Sequence, residues 1–164
     1  MGMFDLIKLL AESKTDYVLV GGLAVALQGY QRVTMDVDVV LAMDATNLER
    51  FIASAKAAGL RPVMPVAIDS LAQPLLLEQW QRDKGLLAFG LQGSEAQATV
   101  LDVLIAPVIP FEDLQRDVTI VDVGPYRIPV ASIDHLIAMK SASGRSKDVL
   151  DIEELEKLRA KDRP

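Results

Sequence analysis

Apolar positions along the chain fall into runs with two periods, and the periods assign the elements. Between Met3 and Ser13, Phe4, Ile7, Leu10 and Ala11 recur at helical spacing, which predicts an amphipathic helix. Thr15-Asp16 turn the chain into a short apolar strand, Tyr17 to Val20, that runs into Gly21-Gly22. Leu23 to Gln28 then reads as helix until Gly29 stops it. The strongest strand pattern is Asp36 to Ala42, where Asp and Val alternate before Val-Leu-Ala. An Ala-rich helix, Asp44 to Ala58, follows, with Asp44 or Thr46 near its cap and Gly59 at its end. Leu71 to Arg82 predicts a further helix, with Pro74 obscuring where it starts.

In the second half, Leu86 to Phe89 and Thr99 to Ile105 read as antiparallel strands joined through Gly93-Ser94. Pro107 and Pro110 precede a short helical turn, Phe111 to Gln115. Val118 to Val123 and Tyr126 to Ile128 form a hairpin about Gly124-Pro125. Ser132 caps a helix to about Ser143, Gly144 breaks it, and Ser146 caps a last helix to about Lys161. There is no internal repeat, low-complexity tract or linker. The pattern predicts one α+β domain over residues 1–164: a mixed β-sheet flanked by helices, with a C-terminal helical segment.

Composition narrows what this layered domain does. At 51% hydrophobic it buries a real core, and its mean hydropathy of +0.26 predicts apolar surface covered by a partner, in a homodimer or a heteromeric complex. Seventeen Lys plus Arg against 23 Asp plus Glu give a net charge of −6, which disfavours coating nucleic acid by charge alone. A locally positive cleft facing a phosphate stays compatible with it. Without Cys there is no disulfide, thiol nucleophile or Cys-based zinc site. With no signal-like start and no apolar run of the roughly 18–20 residues a span needs, the expectation is a cytoplasmic protein without membrane attachment. His135 is the sole histidine, so a divalent metal would be held by oxygen, which points to Mg2+ or Mn2+.

Candidate chemistry concentrates in residues 20–38. Asp36 and Asp38, two apart on a strand, project to the same side while Val37 and Val39 face the opposite layer. Paired carboxylates repel one another, and a hard divalent cation relieves that repulsion. Gly21-Gly22 ends a strand and opens a helix, where unpaired N–H groups and the helix dipole attract anions and a missing Cβ allows close approach. Asp102 is a lone charge between Leu101 and Val103 in an apolar strand, costly without a partner. If that strand lies beside Asp36 to Ala42, three carboxylates cluster. Blander readings stand beside these: a polar edge-strand face for Asp36 and Asp38, a tight turn for the glycines, a loop-end acid for Asp102, and a surface lysine for Lys140.

Gly-Gly followed by Arg32-Val33-Thr34 and then Asp36-Val37-Asp38 resembles the nucleotidyltransferase superfamily related to DNA polymerase beta. The similarity is greatest to the branch holding AbiEii-type toxins and the small aminoglycoside and lincosamide nucleotidyltransferases. In the C-terminal part, Lys140, then Arg145-Ser146-Lys147-Asp148 and Asp151, is similar to that branch's Lys, Arg-x-Lys-Asp-x-x-Asp signature. The resemblance implies a minimal nucleotidyltransferase fold and Mg-dependent transfer of a nucleoside monophosphate from an NTP, such as ATP, to an acceptor: tRNA, a protein side chain or a small molecule. It implies metal binding by Asp36, Asp38 and Asp102, with Asp102 as second-metal ligand or base. Phosphate contacts would come from Gly21, Gly22, Arg32, Thr34, Lys140, Arg145 and Lys147, with Asp148 in the same signature. It also raises a toxin restrained by an antitoxin partner. The chain carries Gly-Gly where many superfamily members carry Gly-Ser, and has little left over for the acceptor-binding domain many relatives possess. A catalytically degenerate binding or regulatory module is the alternative.

Overall fold

The computed structural model describes residues 1–161. Its elements are α1 (Met3–Glu12), β1 (Tyr17–Val20), α2 (Gly21–Gln28), β2 (Asp36–Leu41), α3 (Ala45–Ala57), β3 (Arg61–Pro62), α4 (Pro74–Lys84), β4 (Ala88–Gln92), β5 (Val100–Leu104), α5 (Phe111–Arg116), β6 (Thr119–Val123), β7 (Tyr126–Val130), α6 (Ile133–Ser143) and α7 (Asp148–Lys161). Seven strands form one mixed sheet in the order β3-β4-β5-β2-β1-β7-β6. β2 runs antiparallel to β1 and parallel to β5, while β1 runs parallel to β7.

Burial explains which strands lie at the centre. All four residues of β1 are buried, as a strand covered on both faces requires, whereas β6 at the edge keeps Thr119, Ile120 and Asp122 exposed. α1 buries Leu6, Ile7, Leu9 and Leu10, and α3 buries Leu48, Phe51, Ile52 and Ala55, each at helical period. One buried polar residue fixes the β1–β2 pair. Asn47, 3% exposed, accepts from the Asp16 N–H at 2.7 Å and donates to the carbonyls of Asp16 at 2.9 Å and Ala42 at 2.8 Å. It ties the entry of β1 to the exit of β2, in a register that sets Val20 opposite Asp38. No helix among the described residues is long and apolar enough to cross a membrane.

Most elements lie within a residue or two of the pattern-based expectation, and the exceptions have physical causes. The helix expected from Leu71 begins at Pro74, because Pro at the first helical position loses no hydrogen bond; Ile68–Ala72 form a separate 3-10 turn. The strand expected over Leu86 to Phe89 runs from Ala88 to Gln92, through Gly90. β7 continues past Ile128 to Val130, and α7 begins at Asp148. β3 has two residues, too few to show a period.

Candidate active site

The functional geometry starts with β2. Val37 and Val39 are fully buried on one side, which leaves the Asp36 and Asp38 side chains to the other. Parallel pairing with β5 then sets Asp38 directly beside Asp102, and Asp36 beside Val100. Asp38 is pushed up to about 7, first by burial and then by the charges of Asp102 and Asp36, against the opposing pull of Lys140 and Arg145. Asp102 is also raised, by burial and then by Asp36. The three carboxylates therefore act on one another electrostatically.

Three glycines make room for this site. Gly21, the first residue of α2, has φ +73°, and a Cβ there would run into Asp38 Oδ2 and lie 2.8 Å from its Cγ. A Cβ on Gly22 would lie 2.9 Å from Thr34 Oγ1 and 3.5 Å from Arg32 Cζ. The sequence suggested that this pair keeps the backbone open to a phosphate. In the structure it seats the site's own side chains: Asp38 against Gly21, Thr34 and Arg32 against Gly22. The α2 N-cap, Val20, has no side-chain oxygen for the first amides of the helix, so the positive end of α2 adjoins Asp38 without a side-chain cap. Gly90 is the residue that sequence reasoning missed. It pairs with Asp102 across β4 and β5, and a Cβ there would stand 3.1 Å from Asp102 Oδ1. A glycine immediately after the expected strand Leu86 to Phe89 was the available signal.

Gly21→Ala tests this packing. It would impose a left-handed conformation on a residue with a Cβ and drive Asp38 from its place, for an expected cost of about 1–3 kcal/mol. Thermal melts check the stability, and isothermal titration with Mg2+ checks the accompanying loss of metal affinity.

Basic residues gather beside the acids. Lys140, on the buried face of α6, is 9% exposed; its Nζ lies 3.2 Å from Asp148 Oδ1 and 2.8 Å from Asp151 Oδ2. Arg32 pairs with the same Asp151 oxygen. Asp148, 2% exposed, also accepts from Ser143 Oγ at 2.5 Å and Arg145 Nε at 2.9 Å. Lys140 is thus not the surface lysine of the blander reading, and it is already ion-paired. Thr34 Oγ1 lies 3.4 Å from the carbonyl of Asp36, while Lys147 is exposed and has no ion-pair partner among the described residues. The roles of Asp151 and Ser143 as partners within this cluster were not apparent from the sequence.

The donor set is all carboxylate oxygen, and the mutual repulsion that raises Asp38 is what a hard divalent cation relieves, so these residues fit Mg2+ or Mn2+. Among the described residues, no three His, Cys, Asp or Glu side chains are already drawn together as a formed ligand set. Ligation would require the three aspartates to close up.

Solved structures that share this architecture include two nucleotide-transferring enzymes. The lincosamide antibiotic adenylyltransferase LnuA, in its lincomycin-bound form, superposes with a TM-score of 0.61 at 20% identity, over 95% of this chain and 95% of that one. ANT(2'')-Ia, in complex with adenylyl-2''-tobramycin, does so with a TM-score of 0.56 at 14% identity, over 96% and 92%. The chain has the nucleotidyltransferase fold. No protein-family model matches the sequence, and no curated protein matches it significantly. The likeness is therefore one of architecture.

Proposed function

We propose that the protein is a nucleotidyltransferase that moves a nucleoside monophosphate from an NTP to a hydroxyl of a small-molecule acceptor. The observation that carries this reading is the cross-strand pair of Asp38 and Asp102, with Asp36 on the same strand, packed against the first residue of α2. The acceptor oxygen attacks the α-phosphorus, the α–β P–O bond breaks, and pyrophosphate leaves with the electron pair. Asp102, paired with Asp38 across the strands, would ligate the second metal or take the hydroxyl proton. Asp36, Asp38 and Asp102 would hold Mg2+ or Mn2+, which supplies charge neutralisation for the triphosphate. Arg32 and Thr34 at Gly22, together with Lys140 and Arg145, would bind the phosphates.

A small acceptor is favoured over tRNA or a protein for two reasons. LnuA is matched over 95% of its length in a lincomycin-bound form, so an acceptor of that size calls for no further domain. The net charge of −6 also disfavours RNA, which is bound largely through its phosphates. The toxin role and its antitoxin rest on the sequence resemblance; growth arrest on expression, lost with Asp36→Ala plus Asp38→Ala, is the outcome that supports them. A degenerate binding module is the second reading, favoured by the pairing of Lys140 with Asp148 and Asp151 and by the unformed ligand set.

Calorimetric titration of the protein with Mg2+ and each NTP separates these readings. The transferase reading expects saturable binding that is lost in the Asp36→Ala, Asp38→Ala double variant. No binding at millimolar nucleotide favours the module, and full binding by the double variant overturns the site assignment. Incubation with labelled ATP and lincosamide or aminoglycoside acceptors then tests the acceptor class.

A further inference from the structure

The nucleotide reading gives tasks to Asp36, Asp38 and Asp102 but leaves the buried Asp151 without one. Asp151 stands in the first turn of α7, 4% exposed, on the buried face that also carries Asp148 and Leu155. One of its oxygens, Oδ2, receives cations from two separate parts of the chain: Lys140 Nζ from α6 at 2.8 Å, and Arg32 Nη1 from the irregular stretch between α2 and β2. Among the described residues this is the only ion pair joining that stretch to the C-terminal helices, and Arg32 has no second carboxylate.

The consequence runs through Gly22. Residues 30–35 form neither helix nor strand, and Arg32's other side-chain hydrogen bond is a local one, 3.4 Å to the Val33 carbonyl. Arg32 and Thr34 nonetheless lie against Gly22, at the start of α2. Without Asp151, Lys140 and Arg32 would face each other with one anion fewer, and Arg32, whose side chain is 30% exposed, has a path into solvent. We infer that Asp151 is a positioning residue that ties Arg32 to Lys140 and so holds Arg32 at Gly22 for the triphosphate. This inference rests on the nucleotide reading proposed above.

The test is a double-mutant cycle read by Mg2+·ATP calorimetry on the wild type, Asp151→Asn, Arg32→Gln and the double variant. Each single change is expected to weaken binding about tenfold, the scale of one charge-assisted contact. The double variant is expected to bind no more weakly than the worse single, because Asp151 acts through Arg32. Should Asp151→Asn fail to fold, Asp151→Glu retains the buried charge and shifts the guanidinium by one methylene; it is expected to weaken binding about threefold, with no further loss in the Arg32→Gln background. A merely structural Asp151 would lower the melting temperature and leave the Kd of the folded protein unchanged, and that result overturns the inference. So do losses that multiply to about a hundredfold in the double variant. A wild type that binds no Mg2+·ATP defeats the nucleotide reading and this inference with it, a result distinct from a wild type that binds and an Asp151 variant that binds as well.

Discussion

Asp38→Asn is expected to abolish nucleotidyl transfer and, in metal-free buffer at pH 8, to raise the melting temperature. The two effects have one cause. Asp38 is half-buried beside Asp102 and within reach of the charge of Asp36, so its ionised form is disfavoured and its titration moves up to about 7. An acid raised by folding holds its proton in the native state and loses it in the unfolded chain, so between the ordinary 3.8 and about 7 the native state binds more protons. Stability is therefore fully present below pH 3.8 and declines as pH rises through about 7. The displacement corresponds to roughly 4 kcal/mol of lost stability at alkaline pH. Asn removes that loss while keeping the shape, for an expected gain on the order of 8–16 °C in Tm at pH 8 and a flatter profile between pH 4 and 7.

Activity moves the other way. Losing a ligand for an ion that neutralises transition-state charge removes several kcal/mol, a loss on the order of a thousandfold in rate. Melting curves across pH with a chelator present, paired with a transfer assay in Mg2+, check both halves. A variant that loses activity and also melts lower at pH 8 would show Asp38 to be a structural partner and not a strained ligand. The wild type is expected to bind Mg2+ more tightly with rising pH, because the ion competes with the proton shared among these carboxylates.

Much of this site was legible in the sequence, because strand geometry converts spacing into direction. Asp-Val-Asp-Val on an apolar strand forces two carboxylates to one side, and an isolated Asp102 in a second apolar strand needs a partner. The pairing that brings them together was conditional: periodicity does not say which strands are neighbours, and β2 and β5 are separated in the chain by α3, β3, α4 and β4. Gly90 was hidden because the expected strand stopped at Phe89, one residue before the glycine that leaves room for Asp102. Lys140 was read against Leu136, Ile137 and Met139 as either surface or phosphate ligand. The structure excludes the surface position, since its i, i+4 spacing from Leu136 turns it inward onto two buried aspartates of α7. Tertiary charge pairing of this kind leaves no local period to detect.

The acids of that pairing give the second large prediction: Asp148→Ala is expected to destabilise the protein by about 3–5 kcal/mol, the cost of stripping one partner from a buried ion pair. Lys140 would be left with Asp151, which also serves Arg32, and Arg145 and Ser143 would lose their acceptor. Calorimetric or CD melts should show Tm falling by roughly 10 °C or more. The pH dependence of this group has the opposite sign to that of Asp38. Burial pushes Asp148 up, but hydrogen bonds from Ser143 and Arg145 and the charge of Lys140 prevail and hold it down at about 2. Its contribution is therefore complete above pH 3.8 and lost as pH falls through about 2, so the acid limb of the wild-type melting profile should shrink in Asp148→Ala. The two dependences cross near pH 4, one limb falling toward acid and the other toward neutrality. An apolar replacement of the pair, Lys140→Met with Asp148→Leu, is expected to recover most of the stability, because buried ion pairs are often matched by packed hydrophobic side chains. If that variant melts like the wild type but no longer binds Mg2+·ATP, the buried charges are kept for the ligand and not for the fold. If it melts like the wild type and binds nucleotide equally well, Lys140 has no part in holding the phosphates.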